Sequence, residues 1–322
     1  MSRGQDHDHT PHAGQGHDHP PRSPRDPDAP RPTVRRLDER LGLAVLRAGL
    51  PPVTLVTYAR DHVAVRTPSR PGSRAGNALD LLAPPAPGDL PGAVDRFHAT
   101  IGSLGADQVQ LRWETPLEPD APAVPPAPDP ALAAAAGALG LEVEPLTVLL
   151  LDALVVPAGG AAVELTPVPP PTTGADASVD RRWHATTVLY RYDADGEVPD
   201  RTAQQEDLVA WSVAQQRELA IAGRCQVWAA QRHGMPVGRA TLRHDRQGLA
   251  VVEDVVVHPV HRRRGIASQL VAAAVGRYLD AVPGARVGLG VAPGSGAELL
   301  YRRLGFVPHA TVWTARQRAG DG

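Results

Sequence analysis

Two hydrophobic periods alternate along residues 178–322 and predict a succession of strands and helices. Apolar residues recur at helical spacing from Ile266 to Leu279, and the apolar runs on either side, 249–257 and 286–291, are typical of buried strands. The pattern also predicts strands at 225–230, 236–243 and near 306–314, helices at 203–222, 266–281 and 296–304, and a strand or strand–helix junction at 183–192. This alternation places the C-terminal part of the chain in the α/β class.

Residues 32–156 show a similar succession but no obvious catalytic motif. The pattern predicts helices at 37–50, 90–101 and 131–139, and strands at 63–65, 78–82, 109–113 and 147–156. From residue 78 onward, the order strand, helix, strand, helix, Leu-Gly-Leu, strand repeats that of the C-terminal half. Two interpretations stay open: this smaller lobe is a degenerate copy of the C-terminal half, or it is an unrelated α/β unit.

Two segments carry too few apolar residues to form a core. Residues 1–31 consist largely of Asp, His, Pro, Gly and Arg and are expected to be a disordered tail. Their His-Asp runs permit loose binding of zinc or nickel, but they are also typical of a solvated low-complexity tail, so no metal site is predicted. Residues 157–177 are rich in Pro and Gly and are predicted to be a linker between a lobe at 32–156 and a domain at 178–322.

Composition bears on the partners and the cellular location expected for the protein. The formal net charge of -2 gives no general attraction to nucleic acid or to membranes. Cys225 is the only cysteine, so no intrachain disulfide can form, and no apolar run reaches transmembrane length. We therefore expect a cytoplasmic protein without nucleic-acid or membrane partners, and the sequence leaves its oligomeric state unknown.

The candidate chemistry lies where the strand at 249–257 leads into the helix at 266–281. Arg262, Arg263 and Arg264 precede Gly265, which has no Cβ and therefore allows a ligand to approach the backbone closely. The unpaired amides and the dipole of the first helical turn add positive potential beside these arginines. The arrangement suits a pyrophosphate, although an exposed basic turn has the same pattern.

Two motifs resemble those of the GNAT N-acetyltransferase superfamily. The segment Arg262-Arg263-Arg264-Gly265-Ile266-Ala267 resembles the acyl-coenzyme A signature Gln/Arg-x-x-Gly-x-Gly/Ala. The segment from Ala297 to Phe306 resembles the family's Ala-x-x-Leu-Tyr-x-x-Leu-Gly-Phe helix and turn. The resemblance covers residues 178–322 well and the first half faintly. It implies a mixed twisted sheet flanked by helices, with acetyl-CoA as co-substrate, and it extends to the smaller preceding lobe if that lobe is a degenerate GNAT-like half.

The resemblance also assigns roles to individual residues. The loop amides and arginine charges hold the cofactor, which implicates Arg262, Arg263, Arg264, Gly265, Ile266 and Ala267. In the family, the end of the central strand pairs with the pantetheine arm through its main chain, which points here to Val255 and Val257. Tyr301 occupies the position of the general acid that protonates the leaving sulfur, and a core tyrosine on an amphipathic helix is the alternative.

The general base is less well defined by the sequence. Glu253 and Asp254 are adjacent on a strand, so their side chains are expected on opposite faces, with Glu253 on the face of the two pantetheine-binding valines. An acidic residue upstream on this strand is a common base in relatives, and apolar neighbours would raise its pKa. A carboxylate that satisfies a neighbouring helix or loop is equally consistent with the pattern. His258 and His261 are further alternatives.

One position departs from the family pattern. Many members carry Asn where Gly294 stands, and Ser295 is expected to cap the helix in its place. The resemblance implies an N-acetyltransferase in which a small-molecule or peptide amine attacks acetyl-CoA directly in a ternary complex. The missing Asn and the degenerate first half leave open a second hypothesis, an acyl-CoA-binding regulatory or scaffolding protein with little catalysis. The amine itself is not identified, and its cleft is expected near 183–222 and 307–312.

Overall fold

The computed structural model describes residues 40–73, 76–118, 120, 127–171, 177–192, 202–245 and 247–317. The tail predicted at 1–31 and the start of the helix predicted at 37–50 lie outside these ranges. The described residues form an eleven-stranded sheet with helices packed on it.

The described helices and strands follow the predicted order closely. The helices are α1 Leu41–Ala48, α2 Leu90–Thr100, α3 Pro130–Ala138, α4 Ala177–Thr187, α5 Ala203–Ile221, α6 Ile266–Ala281 and α7 Gly296–Arg303. The strands are β1 Leu55–Tyr58, β2 His62–Arg66, β3 Ala78–Leu81, β4 Gln110–Pro116, β5 Leu141–Leu151, β6 Glu164–Val168, β7 Cys225–Arg232, β8 Met235–His244, β9 Leu249–Val257, β10 Arg286–Val291 and β11 Phe306–Gln317.

The sheet has the strand order β1-β2-β3-β4-β11-β5-β10-β9-β8-β7-β6. The pairs β3–β4 and β9–β10 are parallel, and the remaining neighbours are antiparallel. This mixed sheet flanked by helices is the predicted fold class.

The sheet contains one arrangement of elements twice. In the first half β3, α2, β4, α3 and β5 follow one another, and in the second half β9, α6, β10, α7 and β11 do so. Each half ends in a strand that a glycine with positive φ precedes, Gly140 at 72° and Gly305 at 92°. The topology therefore supports the interpretation of the N-terminal lobe as a degenerate copy of the C-terminal half.

The final strands of the two halves are exchanged. Strand β11 lies between β4 and β5 of the first half, and β5 lies between β11 and β10 of the second. The two exchanged strands pair antiparallel along their whole length, from Phe306–Leu151 to Gln317–Leu141. Each half thus depends on the other for a strand in the middle of its sheet.

Helices α1, α4 and α5 cover one face of the sheet, here called the front face, and α2, α3, α6 and α7 cover the back face. Strand β9 shows the alternation that separates them: Leu249 and Val251 pack against α1, whereas Ala250 and Val252 pack against α6. The same alternation on β4 places Leu111 and Trp113 against α2 and α3 on the back face.

Some predicted elements differ from the structure. The strand predicted at 147–156 is β5, which runs from Leu141 to Leu151 and stops where the amide of Asp152 donates to the Gly305 carbonyl at 3.1 Å. The apolar residues beyond this turn, Val155 and Val156, are exposed.

The segment 183–192 is wrongly predicted as a strand or strand–helix junction. It contains the end of α4 and a 3-10 turn, Val188–Arg191. Trp183 anchors α4 because its ring is buried and its indole Nε1 donates to the carbonyl of Pro169 at 2.9 Å.

The segment 157–177, predicted as a linker, includes an edge strand. Strand β6 pairs with β7, and Val163 and Leu165 pack against the cluster around α6. Strand β1 was not predicted. All four of its residues are exposed, and its sequence does not alternate between apolar and polar residues as that of a half-buried strand does. No helix within the described ranges combines the length and the apolarity needed to cross a membrane.

Candidate active site

The arginine loop joins β9 to α6 through residues held in unusual backbone conformations. Arg263 has a φ of 61° and Gly265 a φ of 79°. A Cβ on Gly265 would meet only the Cα of Gly160, at 3.5 Å, so its positive φ rather than lack of space requires glycine here. No side chain caps the first turn of α6, so its amides are not satisfied by a capping group.

A cavity of about 640 Å³, here called the loop cavity, opens beside this turn on the back face. Its lining includes nearly all the residues predicted to bind a cofactor, together with Tyr301: Val255, Val257, Arg262, Arg263, Gly265, Ile266 and Ala267. Arg264 is the exception, because it borders a separate cavity beside Arg232 and its carbonyl accepts from the amide of Ala161 at 2.9 Å.

Tyr301 lies on α7 with its ring edge-on to Phe306, at a centroid distance of 6.0 Å. Its side chain is largely buried in the back-face core but still borders the loop cavity. Burial raises the pKa of Tyr301 to about 12, so its hydroxyl keeps its proton near neutral pH. Tyr301 is therefore a core tyrosine whose side chain, protonated near neutral pH, also borders the loop cavity.

One of the two valines predicted to meet a pantetheine arm, Val257, has its carbonyl occupied by the arginine loop. The carbonyl of Val257 accepts from Nε of Arg262 at 3.0 Å, which fixes the arginine against the strand end. Pairing between β9 and β10 stops at Val251 and Gly288, although both strands continue. Beyond that point the two strands part, which leaves room between them for an extended ligand.

A β-bulge in β9 overturns the predicted direction of Glu253. Strand β8 pairs Arg239 with Val256 but Thr241 with Glu253, so β9 carries one extra residue, and Asp254 there has a φ of 50°. The expectation that Glu253 shares a face with Val255 and Val257 is therefore wrong. The valines point to the back face, and both Glu253 and Asp254 point to the front face.

Glu253 borders a second cavity, of about 1000 Å³, on the front face; we call it the sheet cavity. Its carboxylate pairs with Nε of Arg243 at 3.1 Å, and Arg243 also donates to the carbonyl of Gly49. A Cβ on Gly49 would lie 1.9 Å from Oε1 of Glu253, so the carboxylate packs directly on this glycine of the N-terminal half. Burial raises the pKa of Glu253 to about 7, with Arg243 opposing the shift and Asp254 adding to it.

Asp254 is held by a buried network that the sequence did not predict. Its Oδ2 accepts from Nε2 of Gln216 at 2.6 Å and from the hydroxyl of Tyr190 at 3.0 Å. The Oε1 of Gln216 accepts in turn from Arg239, whose guanidinium lies 4.3 Å from the centre of the Tyr190 ring. These contacts from α5 and the preceding turn stabilise the bulge, and no local motif marks them because the partners are far apart in sequence.

The two histidines proposed as alternative bases lie apart from Glu253. His261 lines the loop cavity, and its ring centroid is 5.7 Å from that of His258. Burial and the charges of Arg232, Arg264 and His258 lower the pKa of His261. Both histidines thus belong with the arginine loop rather than with the sheet cavity.

The start of α7 compensates for the glycine at position 294. Ser295 caps the helix as expected, because its hydroxyl accepts from the amide of Glu298 at 3.2 Å. The buried carboxylate of Glu298 accepts from the amide of Gly294 at 2.7 Å and pairs with Arg302. The turn before Tyr301 is therefore ordered by Ser295 and Glu298.

The chain resembles known proteins in this same region. Residues 189–306 match the family model described as Acetyltransferase (GNAT) family. No curated protein matches the chain.

Solved structures share the fold across most of the chain. A conserved protein of unknown function from Staphylococcus epidermidis aligns with a TM-score of 0.62 at 14% identity, covering 81% of this chain and 92% of the other. A GCN5-related N-acetyltransferase from Kribbella flavida aligns with a TM-score of 0.54 at 18% identity, covering 88% of this chain and 95% of the other. At such identities the likeness concerns the fold alone.

Residues 189–306, which contain both motifs, thus resemble a GNAT domain. This match supports acyl transfer as the general chemistry.

Proposed function

We propose that the GNAT domain transfers an acetyl group from acetyl-CoA to an amine by direct attack in a ternary complex. The observation that carries this proposal is the arrangement of two cavities about the point where β9 and β10 part. Tyr301 and the arginine loop border the back-face cavity, and Glu253 borders the front-face cavity. A thioester carbonyl between the strands would meet a proton donor on one side and a carboxylate on the other.

The loop cavity suits the donor. Uncapped amides at the start of α6 and the side chains of Arg262 and Arg263 favour a pyrophosphate at this end. The main chain of β9 beyond Val251, which β10 leaves unpaired, offers hydrogen-bonding groups to the amides of a pantetheine arm. The cavity therefore has charge where the phosphates would lie and an open strand edge where the arm would lie.

The chemistry follows from the two titratable groups. Glu253 accepts a proton from the acceptor ammonium, and the freed lone pair attacks the thioester carbon to form the N–C bond. The C–S bond then breaks as Tyr301 donates its proton to the departing sulfur. The second proton that the nitrogen loses restores the Tyr301 hydroxyl, which leaves free coenzyme A and the amide. A pKa of about 7 suits Glu253 as the base, and a pKa of about 12 keeps the Tyr301 hydroxyl protonated near neutral pH.

Cys225 does not favour a covalent acetyl-enzyme. It is buried in the front-face core, and burial raises the pKa of its thiol to about 12, so little thiolate forms at neutral pH. Direct attack by the amine is the simpler route.

The test is thiol release from acetyl-CoA in the presence of a panel of small amines and peptides, with the acetylated product detected by mass spectrometry. We expect coenzyme A and acetylated amine to appear in equal amounts. Tight binding of acetyl-CoA with no thiol release for any amine would instead support the acyl-CoA-binding regulatory or scaffolding function.

A further inference from the structure

The sheet cavity is built by both halves of the chain. Its floor is the front face of the sheet, and its walls come from α1 of the first half and α5 of the second. A volume of about 1000 Å³ is at the upper end of the range for small-molecule sites. The apolar and glycine residues of its lining include Val45, Leu46, Leu50, Leu146, Val251 and Gly290.

One end of this cavity carries two carboxylates. Glu253 and Asp254 line it together with Arg243, which pairs with Glu253, and Gln215 of α5 also lines the cavity. Gln215 is 7% exposed, and its Oε1 has no hydrogen-bond partner among the described residues. A buried acceptor atom without a partner costs free energy unless a ligand supplies a donor, and a protonated amine is such a donor.

The other end is basic. Arg112 on β4 is 4% exposed, and its Nε donates to Oδ1 of Asp80 at 2.6 Å. Oδ2 of the same carboxylate pairs with Arg47 at 2.5 Å, so two guanidinium groups share one buried carboxylate. Nη2 of Arg112 has no partner among the described residues, although Arg112 lines the cavity.

The two ends are far apart. Strands β11, β5 and β10 lie between β4, which carries Arg112, and β9, which carries Glu253. Four strand spacings of about 4.8 Å separate the two backbones by about 19 Å. A ligand that touches both ends is therefore elongated.

We propose that the acceptor is an elongated primary amine with an apolar middle and an anionic group at the far end, which Arg112 binds. This rests on the proposed N-acetyltransferase activity, because the amine end lies at Glu253. The unpaired Nη2 of Arg112 donates to the anion while Nε keeps its bond to Asp80. The apolar middle lies over Leu46, Leu146 and Gly290, and the N-terminal half thereby selects the substrate.

The test compares straight-chain ω-amino acids of increasing length with their primary amides, which are similar in size but lack the negative charge. We expect kcat/KM for the best acid to exceed that of its amide by about tenfold or more, as for a hydrogen bond to a charged group. In Arg112→Lys the ratio of kcat/KM for the acid to kcat/KM for the amide should fall close to one, because a single ammonium cannot contact Asp80 and the ligand at once. Arg316→Lys is the matched control, since Arg316 pairs with Glu144 on the surface and is absent from the cavity lining.

Thermal unfolding and acetyl-CoA affinity of Arg112→Lys should stay near those of the unaltered protein, which separates selectivity from misfolding. Calorimetric titration of the acids and amides into the protein with coenzyme A bound reports on the cavity even if no amine is turned over. Selective binding of the acid without thiol release would overturn the proposed acetyltransferase activity, but it would support the proposed selectivity of the sheet cavity for an anionic group. Equal binding and turnover of acid and amide, or a preference that Arg112→Lys leaves unchanged, would overturn the proposed acceptor class.

Discussion

Asp254 shows how one backbone torsion decides which side chains reach a site. Period-two alternation places residues 253 and 255 on the same face, but the positive φ of Asp254 inserts an extra residue and turns them to opposite faces. The only trace of this in the sequence is that Asp tolerates a positive φ better than most residues. Tyr301 was predictable because its helix is regular, so motif spacing translates directly into position.

Tyr301→Phe tests the proton donor. We expect kcat to fall about 100-fold, within the range that general acids contribute, while the Kd for acetyl-CoA changes little. Pre-steady-state thiol release and calorimetry measure the two quantities. Tyr278→Phe is the control, because Tyr278 is a buried tyrosine of α6 that does not line the loop cavity. Unchanged turnover in Tyr301→Phe would remove this hydroxyl from the mechanism.

Glu253 sets the expected pH dependence. A base must be deprotonated, so kcat/KM should rise tenfold per pH unit below about pH 7, the raised pKa of Glu253, and level off above it. Because the pKa of Tyr301 is raised to about 12, no loss from the acid is expected before strongly alkaline pH. Glu253→Gln should abolish the ascending limb and most of the activity. A limb that persists in this variant would assign the base to another group.

Gly49 provides a way to move the carboxylate of Glu253 without replacing it. A Cβ at position 49 would lie 1.9 Å from Oε1 of Glu253, which is the far end of a flexible side chain. Gly49→Ala should therefore displace the carboxylate, lower kcat about tenfold and change the free energy of unfolding by less than about 1 kcal/mol. Gly92→Ala, where an added Cβ meets nothing within 4 Å, is the control. Full activity of Gly49→Ala would show that the position of Glu253 is not critical.

At the scale of helices and strands, the spacing of apolar residues predicted the elements that bury a regular set of side chains. The helix at 266–281 and the strand at 249–257 appear within a residue of their expected bounds. The helix at 203–221 does so as well, although residues 205–208 of it are exposed. The elements that the pattern did not predict depend on features that the local sequence does not show. Strand β1 is exposed throughout, and β6 exists because β7 presents a free edge to it.

The junction of β9 and α6 gives a prediction at this scale. Gly265→Ala places a Cβ at a φ of 79° and should weaken acetyl-CoA binding, with strain of about 1 kcal/mol, because the loop must reorient its amides. Gly276→Ala in the same helix meets only Leu154 at 3.5 Å and should stabilise the protein by about 0.5–1 kcal/mol through helix propensity. Calorimetric Kd values and denaturant unfolding of both variants measure these effects. Equal affinities in both variants would contradict a role for the loop in binding.

For the whole molecule, the sequence offered two related halves as one of two interpretations, but it did not predict their exchange of strands. Repeated element order indicates a repeat, whereas pairing between β11 and β4 depends on contacts nearly two hundred residues apart that no local pattern encodes. The sheet cavity was beyond prediction for the same reason. Its basic end comes from β4 of the first half and the end with two carboxylates from β9 of the second.

The exchange predicts that the second half does not fold alone. A chain truncated to residues 157–322 keeps β6 to β11 but lacks β5, so β10 and β11 lose the strand between them. We expect poorly dispersed amide signals in its NMR spectrum, and native dispersion after residues 40–156 are added as a separate chain. A well-dispersed spectrum for 157–322 alone would show that β5 is dispensable.

The position of β11 in the sheet also determines when the sheet can be completed during synthesis of the chain. This strand completes the centre of the sheet, yet it follows β5 by about 155 residues in the chain. At about 5–20 residues per second, a ribosome needs roughly 8–30 s to synthesise that interval. Throughout it, β4 and β5 present unpaired strand edges, so we expect the nascent chain to be prone to aggregation until β11 is inserted between them.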